Sequence, residues 1–502
     1  MPDPDPDQDP GMGPDAAGTT RGLFMRVFPS ICLPMFLAAV DQTIVATALP
    51  AIAGTLGDVE RISWVVVSYL MATTIAAPVY GRLGDALGRK RLLFLALGVF
   101  VLASLGCAAA PSLSWLTAAR VLQGVGGGGL MTLSQALVGE TVPPRERGRY
   151  QGYLASIFMV SSTFGPVAGG WMTQHLGWQS VFLINVPLGL LAAALALRLP
   201  DLRPPPARIR FDWLGLLLFS GFVVPLLLAL EQGQQMSVAA VPALAGLVGL
   251  ACASLWLLLR QERRMAMPLI PVALLRLPAI WRADAMGACV GAVIVSSVTF
   301  MPIYLQVVRG ATPGRVGLLL LPLTAGLAVG SLFTGRGITR TGRTAIFPSI
   351  GLIGVTGALL VLALGAAWLP VAWLPALFLV LSLSLGTTMP VVQTTVQSVA
   401  GPKNLGAASA SVQFSRSIGA ALGTALVGAV LFAVLTLRDP GTATLFSQIV
   451  QRGPGVLDAL TTAQRAAAGD EIGIAFRAAF LCIAAFAAIG LGLAWSLPVR
   501  RI

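Results

Sequence analysis

Charge is scarce in this 502-residue chain: 11% of its residues are charged, against about 25% in soluble domains. That shortage excludes an ordinary soluble globular protein. Cysteine is scarce as well. Cys32, Cys107, Cys252, Cys289 and Cys482 lie within or beside apolar runs, with no CxxC spacing and no pairing pattern. They read as small buried hydrophobes. The single histidine, His175, sits in a short turn without a cysteine neighbour, so neither a metal site nor another cofactor is expected. The opening segment MPDPDPDQDPGMGPD alternates Pro with Asp and lacks a basic start. It does not read as a cleaved signal peptide, and residues 1–26 read as a disordered tail.

What the chain has in abundance is apolar sequence, 56% of all residues. A membrane-crossing helix needs roughly 20 apolar residues, and many runs reach that length. Lipid offers no hydrogen bonds, so each run must satisfy its own backbone as a helix. The period-two alternation of a membrane β-barrel is absent. Fourteen spans are expected, near 27–50, 62–81, 92–110, 114–139, 150–172, 178–197, 213–231, 239–259, 281–306, 314–334, 345–367, 371–396, 407–436 and 475–497. The fold class is therefore an all-α polytopic membrane protein.

The net charge of +13 has the sign that nucleic acid attracts, but the basic residues form short clusters between apolar runs. With an even span count and a cytoplasmic N-terminus, 24 of the 33 lysines and arginines fall on the cytoplasmic side and six outside. This is the distribution of the positive-inside rule. Both termini are expected in the cytoplasm, and no nucleic-acid partner is.

The organisation that follows is a six-helix half at 27–200, a Pro- and Arg-rich linker at 201–212 and two inserted spans at 213–259. A second linker at 260–280 can hold an interfacial helix. A six-helix half then runs over 281–502, with a long outside loop at 437–474. GRLGDALGRKR (81–91) is echoed by GRGITRTGR (335–343), as in transporters built from two related halves.

Few charges lie inside the spans. Asp41, in VDQTIVATALP, is deep in the first. A carboxylate in hydrocarbon costs at least about 2.5 kcal/mol and so normally faces a cavity with work to do. Low dielectric favours its protonated form, whereas a nearby guanidinium favours the charged one. Arg120 in the fourth span is the candidate partner. It lies about 9 Å below the outer end, and Asp41 lies about 14 Å below Pro50. The glycines of RVLQGVGGGG lack the Lys-Ser/Thr of a phosphate loop. Gly124 and Gly128 instead give a small packing face. Ser161, Gly165 and Gly169 do the same in the fifth span, where Pro166 can kink the helix. Asp85 with Arg89, Lys90 and Arg91 reads either as a topology signal or as a charged latch. Asp284 reads as a partner of Arg282 at the interface and otherwise stands as a secondary site candidate. Arg416, with Ser411, Gln413, Ser415 and Ser417, can line a polar cavity or bind a lipid phosphate.

Together these residues resemble the major facilitator superfamily, and within it the fourteen-span drug:proton antiporters. GRLGDALGRKR matches the superfamily loop after the second span. RVLQGVGGGG is similar to the fourth-span motif whose Arg is linked to proton transfer. GPVAGG (165–170) is similar to the exporter motif of the fifth span, and VDQTIVATALP to the first-span signature. GWQSVFLINVPLG, FDWLG and PIYLQVVRG also resemble family segments. The resemblance implies two six-helix domains rocking around a central cavity in a bacterial cytoplasmic membrane. It implies export of small amphipathic compounds against incoming protons. Asp41 and Arg120 are then the coupling residues. Gly81, Asp85, Gly88 and Arg89 belong to the latch, and Gly165, Pro166, Gly169 and Gly170 to the exporter kink. Gln42, Tyr69, Gln123, Phe158, Phe164, Gln306 and Gln413 are the cavity candidates, and Asp284 and Arg416 are secondary ones.

The alternative within transport is a dedicated exporter of a lipid or self-made metabolite. An enzyme or receptor would need a nucleophile setting, a His/Cys/Asp cluster or a soluble domain, and none is present in the sequence. The expected partners are substrate, protons and membrane lipids, and the expected state is a monomer.

Overall fold

The structure, a computed structural model, describes residues 14–57, 61–200, 211–233, 241–265, 268–269, 272–365, 369–452 and 461–501. It is helical almost throughout. The first half comprises α1 (Pro14–Leu56), α2 (Trp64–Leu87), α3 (Arg89–Ala108), α4 (Leu113–Thr141), α5 (Pro144–Leu176), α6 (Ser180–Leu183) and α7 (Asn185–Ala196). Then come α8 (Trp213–Gly233), α9 (Val241–Glu262) and the single turn α10 (Val272–Leu275). The second half comprises α11 (Pro278–Val307), α12 (Pro313–Thr341), α13 (Ile346–Gly365), α14 (Leu374–Gly386), α15 (Thr388–Ala400), α16 (Leu405–Arg438), α17 (Pro440–Arg452) and α18 (Thr462–Trp495).

Eleven described segments are both long and apolar enough to cross a membrane. Three more complete the expected fourteen. α4 and α5 have the length, but Arg120 and Glu140 in α4 and the Pro-Arg-Glu-Arg start of α5 dilute their apolarity. α6 and α7 together form the shorter apolar stretch Ser180–Ala196. The crossing after α13 is likewise broken, α14 passing to α15 at Thr387.

Each half has its own core. Tyr69, Leu93, Phe100, Leu130 and Leu133 lie in the main cluster of the first half, and Tyr304, Phe378, Phe476 and Phe480 in that of the second. The inserted helices add a small cluster in which Phe219, Val223 and Leu258 are buried, with Val79 of α2 and Phe414 of α16 packed against it. α2 and α4 approach closely, as the small face predicts. A Cβ on Gly124 or Gly128 would meet backbone oxygens of Tyr69 and Thr73.

The helix ends near residues 88, 142, 198, 343 and 401 and the chain's C-terminus share one end of the bundle, here termed the basic end. Lys90 Nζ donates to the carbonyls of Leu197 and Leu199 there, and Thr344 N to that of Arg500.

Three expectations about the segments between spans are corrected. The tail gives way to helix at Pro14, well before residue 27; residues 1–13 lie outside the described residues. The loop 437–474 contains α17, whose Phe446 and Ile449 are buried in the core of the second half, and the first turns of α18. Its apolar face makes it a packed element; residues 453–460 lie outside the described residues. Among the described residues between α9 and α11, the stretch 260–280 shows one helical turn, α10, and no longer interfacial helix; residues 266–267 and 270–271 lie outside the described residues. Proline and arginine at Pro268, Pro271, Arg276 and Pro278 break the periodicity. Most of the linker 201–212 is outside the described residues. Its last residue, Asp212, is buried and accepts from the Gly215 N–H at 2.8 Å, capping α8.

Candidate functional site

The first half holds a sealed polar cluster. Asp41 on α1 and Arg120 on α4 are 0% and 1% exposed, and Arg120 Nη1 donates to Asp41 Oδ2 at 2.6 Å. Asp41 Oδ1 accepts from Gln123 Nε2 at 2.8 Å and from Asn185 Nδ2 at 2.9 Å. Gln123 Nε2 also donates to Ser104 Oγ, and Cys107 Sγ donates to Gln123 Oε1. Arg120 spends further donors on Gln123 Oε1 and the Val65 carbonyl, and its guanidinium lies 4.1 Å from the centre of the Tyr69 ring. A fully paired charge is the affordable form of a buried one.

The helices deliver these groups by spacing. Arg120 and Gln123, three apart on α4, share a face, as do Ser104 and Cys107 on α3. Asn185 comes from the break between α6 and α7, inside the segment GWQSVFLINVPLG. Asn185 and Ser104 escaped sequence analysis, although a polar amide before Val-Pro in an apolar run was a usable signal.

The small-residue motif of α5 packs on the stretch of α1 just after Asp41. A Cβ on Gly165 would overlap Thr43 Oγ1, and one on Gly169 would overlap Thr47 Oγ1. Thr43 Oγ1 donates to the Ser161 carbonyl at 3.1 Å. Pro166 lies within the unbroken span of α5. Gly170 faces open space, so nothing packs on it.

At the basic end the two halves meet. Gly81 of α2 lies against Gly406 of α16, and Gly335 of α12 against Gly148 of α5. Asp85 bridges them: its Oδ1 accepts from the Gly406 N–H at 2.8 Å and its Oδ2 from the Ala407 N–H at 3.0 Å. It thus supplies partners for orphan donors in the first turn of α16. Arg89 holds Asp85 at 2.6 Å and Glu140 at 2.7 Å, while Gly88 makes the turn with φ 96°. Gln397 Nε2 donates to the Gln135 carbonyl and adds a second tie between halves. The charge cluster is therefore part of a contact between halves, and Glu140 is a member the sequence did not single out.

Above this contact a cavity lies between the halves, with about 850 Å³ of non-protein space counted out to its mouth. Phe158, Gln413 and Arg416 line it, with Gln135, Gln151 and Gln393 from the sequence's unremarked glutamines. The other cavity candidates lie elsewhere. Tyr69 is fully buried beneath Arg120, and Gln123 is bound into the Asp41 cluster. Phe164 is 53% exposed, because six residues beyond Phe158 is about two-thirds of a turn off the lining face. Gln42 follows Asp41 on α1 and does not line the cavity. Gln306 ends α11, about 18 Å along the helix from the lining residue Ile294.

Asp284 does not pair with Arg282. Arg282 reaches the Ser496 carbonyl, while Asp284 is 4% exposed and neither of its oxygens accepts a hydrogen bond. Its polar neighbour Ser411 donates to the Ala408 carbonyl.

Comparison with known proteins agrees with this architecture. Residues 31–424 match the Major Facilitator Superfamily. An uncharacterized MFS-type transporter of Mycobacterium tuberculosis is 34% identical over 93% of this chain and 68% of its own length. The multidrug transporter protein MdtP of Bacillus subtilis is 29% identical over 80% of this chain and 74% of its own. The crystal structure of the human organic anion transporter MFSD10 shares the fold, with a TM-score of 0.64 at 15% identity, covering 94% of this chain and 99% of that one. Helical architecture, two halves around a cavity and these matches lead to one assignment: the chain belongs to the major facilitator superfamily and is a multi-pass membrane transport protein, not an enzyme.

Proposed function

We propose that this transporter is a proton-coupled antiporter that exports amphipathic compounds across a bacterial cytoplasmic membrane by alternating access, with its basic end in the cytoplasm. The observation that carries the coupling is the Asp41 cluster. Among the described residues of the first half, Asp41 is fully buried and accepts from three donors on two helices, Arg120 and Gln123 of α4 and Asn185 of α7, while Ser104 of α3 accepts from Gln123 and Asn185 behind it. A proton arriving at Asp41 discharges the partner of Arg120 and leaves a buried guanidinium uncompensated. The cluster must then rearrange. Its members sit on α1 and α4, and α1 is gripped by the glycines of α5, so rearrangement there is transmitted to helices that also line the cavity.

Closure at the basic end and a cavity above it describe one side of the cycle, in which substrate leaves away from the cytoplasm. The export direction is supported by relatives named as efflux pumps, such as the efflux pump FUS6 of Gibberella moniliformis, and by the packed Gly165–Gly169 motif. Purified protein in proteoliposomes with an imposed pH gradient tests the reading. Amphipathic substrates should be driven opposite to the proton flux, and Asp41→Asn should lose that drive while keeping gradient-independent exchange. Full gradient-driven transport by Asp41→Asn would refute the assignment of the coupling site.

A further inference from the structure

Arg416 is the sole charged side chain among the described residues that line the central cavity. Among the described residues no carboxylate forms an ion pair with it. Of the five donors of a guanidinium, one is committed, Nη2 to Gln413 Oε1 at 3.1 Å. Its ring neighbour is Phe158 of the opposite half, 5.5 Å from the guanidinium carbon. The acidic residue Asp284 is on the adjacent helix α11. It lies about two helical turns, roughly 10 Å, toward the basic end from Gly291, and Gly291 is the residue that abuts the Arg416 backbone. Asp284 does not line the cavity. The remaining polar side chains there, Gln135, Gln151, Ser331, Gln393 and Gln413, are neutral.

We infer that the cavity binds amphipathic organic anions, with Arg416 holding a carboxylate, sulfonate or phosphate and the Met, Leu and Phe158 surfaces holding the apolar body. This rests on the reading of the cavity as the substrate site. A cation placed there meets one uncompensated positive charge in a low-dielectric space, which is the arrangement that rejects like charge. An anion meets an oriented planar donor, which matches oxyanion geometry. The neighbouring Gln413 and the Phe158 ring fix the orientation of the guanidinium before any ligand arrives.

The test is equilibrium counterflow in phosphatidylcholine proteoliposomes, which requires no proton gradient. The probes are 1-naphthoate, 1-naphthylmethylammonium and 1-naphthalenemethanol, matched in body and differing in charge. Wild-type protein should exchange the anion best. Arg416→Gln should lower anion exchange at least about tenfold, leave the neutral probe nearly unchanged and raise the cation relative to the anion. Arg416→Lys should restore part of the anion preference. Equal loss of all three probes in Arg416→Gln, with no recovery in Arg416→Lys, assigns the residue a packing role and overturns the inference. Preference for the cation, or no anion exchange by wild-type protein, overturns it too. So does anion exchange abolished by added phosphatidylglycerol, which makes the cavity a lipid site. Anion exchange without gradient-driven accumulation sinks the antiport proposal and leaves this one standing. Gradient-driven transport confined to the cation does the reverse.

Discussion

Replacing Asp85 with Asn keeps its volume and removes the charge that ties α2 to the first turn of α16. The carboxylate accepts from two backbone N–H groups across the interface, at 2.8 and 3.0 Å, and from Arg89. An Asn carbonyl can serve one of those N–H groups, but its own amide hydrogens then face the other. Hydrogen bonds to a charged group contribute about 1.5–3 kcal/mol. The exchange of one such bond for a donor–donor conflict therefore costs roughly 2–4 kcal/mol. Arg89 retains Glu140 at 2.7 Å, so the first half is little disturbed. Because the broken bonds join the halves, the cost falls on the closed state of the basic end. Its equilibrium should shift roughly 30- to 1,000-fold toward opening. Spin labels at Leu87→Cys and Lys403→Cys, both exposed at that end, in a background without the five native cysteines, report the separation by electron–electron double resonance. The wild-type protein should show a short-distance population that Asp85→Asn loses. Identical distance distributions in wild type, Asp85→Asn and Asp85→Ala would refute the argument.

Asn185→Leu deletes one of three donors to Asp41 and leaves Ser104 without a donor it now receives; thermal melting in detergent should show a loss of about 1.5–3 kcal/mol, and no loss would exclude Asn185 from the cluster. Gly165→Val should slow transport at least about tenfold, since its side chain would overlap Thr43, whereas Gly170→Ala, with open space around it, should transport at wild-type rates. Asp439 has its carboxyl held below its ordinary pKa by the Thr442 hydroxyl and the Gly441 N–H. A depressed pKa means stability present above the unfolded value and lost as pH falls through the folded one. Protection of the amides at the start of α17, taken relative to their intrinsic exchange at each pH, should therefore be constant from neutral pH to about 5 and should fall below about pH 4.

The spans were legible because lipid imposes a length and an apolarity on each helix, and α13 shows both without interruption. α5 was legible only through its neighbours, since its polar start resembles a loop. The charges Asp41, Arg120 and Asp85 stood out for the same physical reason: each is expensive where it is. Which face of a helix looks into the cavity was much less legible. Helices apolar all round have no sequence signal that separates lipid, neighbour and cavity. That is why Tyr69 and Phe164 were expected in a cavity that Gln151 and Gln393 line instead. Tertiary partners such as Asn185, Ser104 and Glu140 needed the packing of separate helices before their roles existed.

The meeting of Gly81 with Gly406 and of Gly335 with Gly148 puts bare main chain against bare main chain at two places on the closing surface. Interlocked side chains must leave one set of rotamers and find another each time two bundles part. Surfaces without side chains have nothing to re-sort, so they separate and return without friction of that kind. The tempo of opening is left to a handful of polar ties, chiefly Asp85 and Gln397. A single substitution can therefore retune how fast the transporter turns over without rebuilding either bundle.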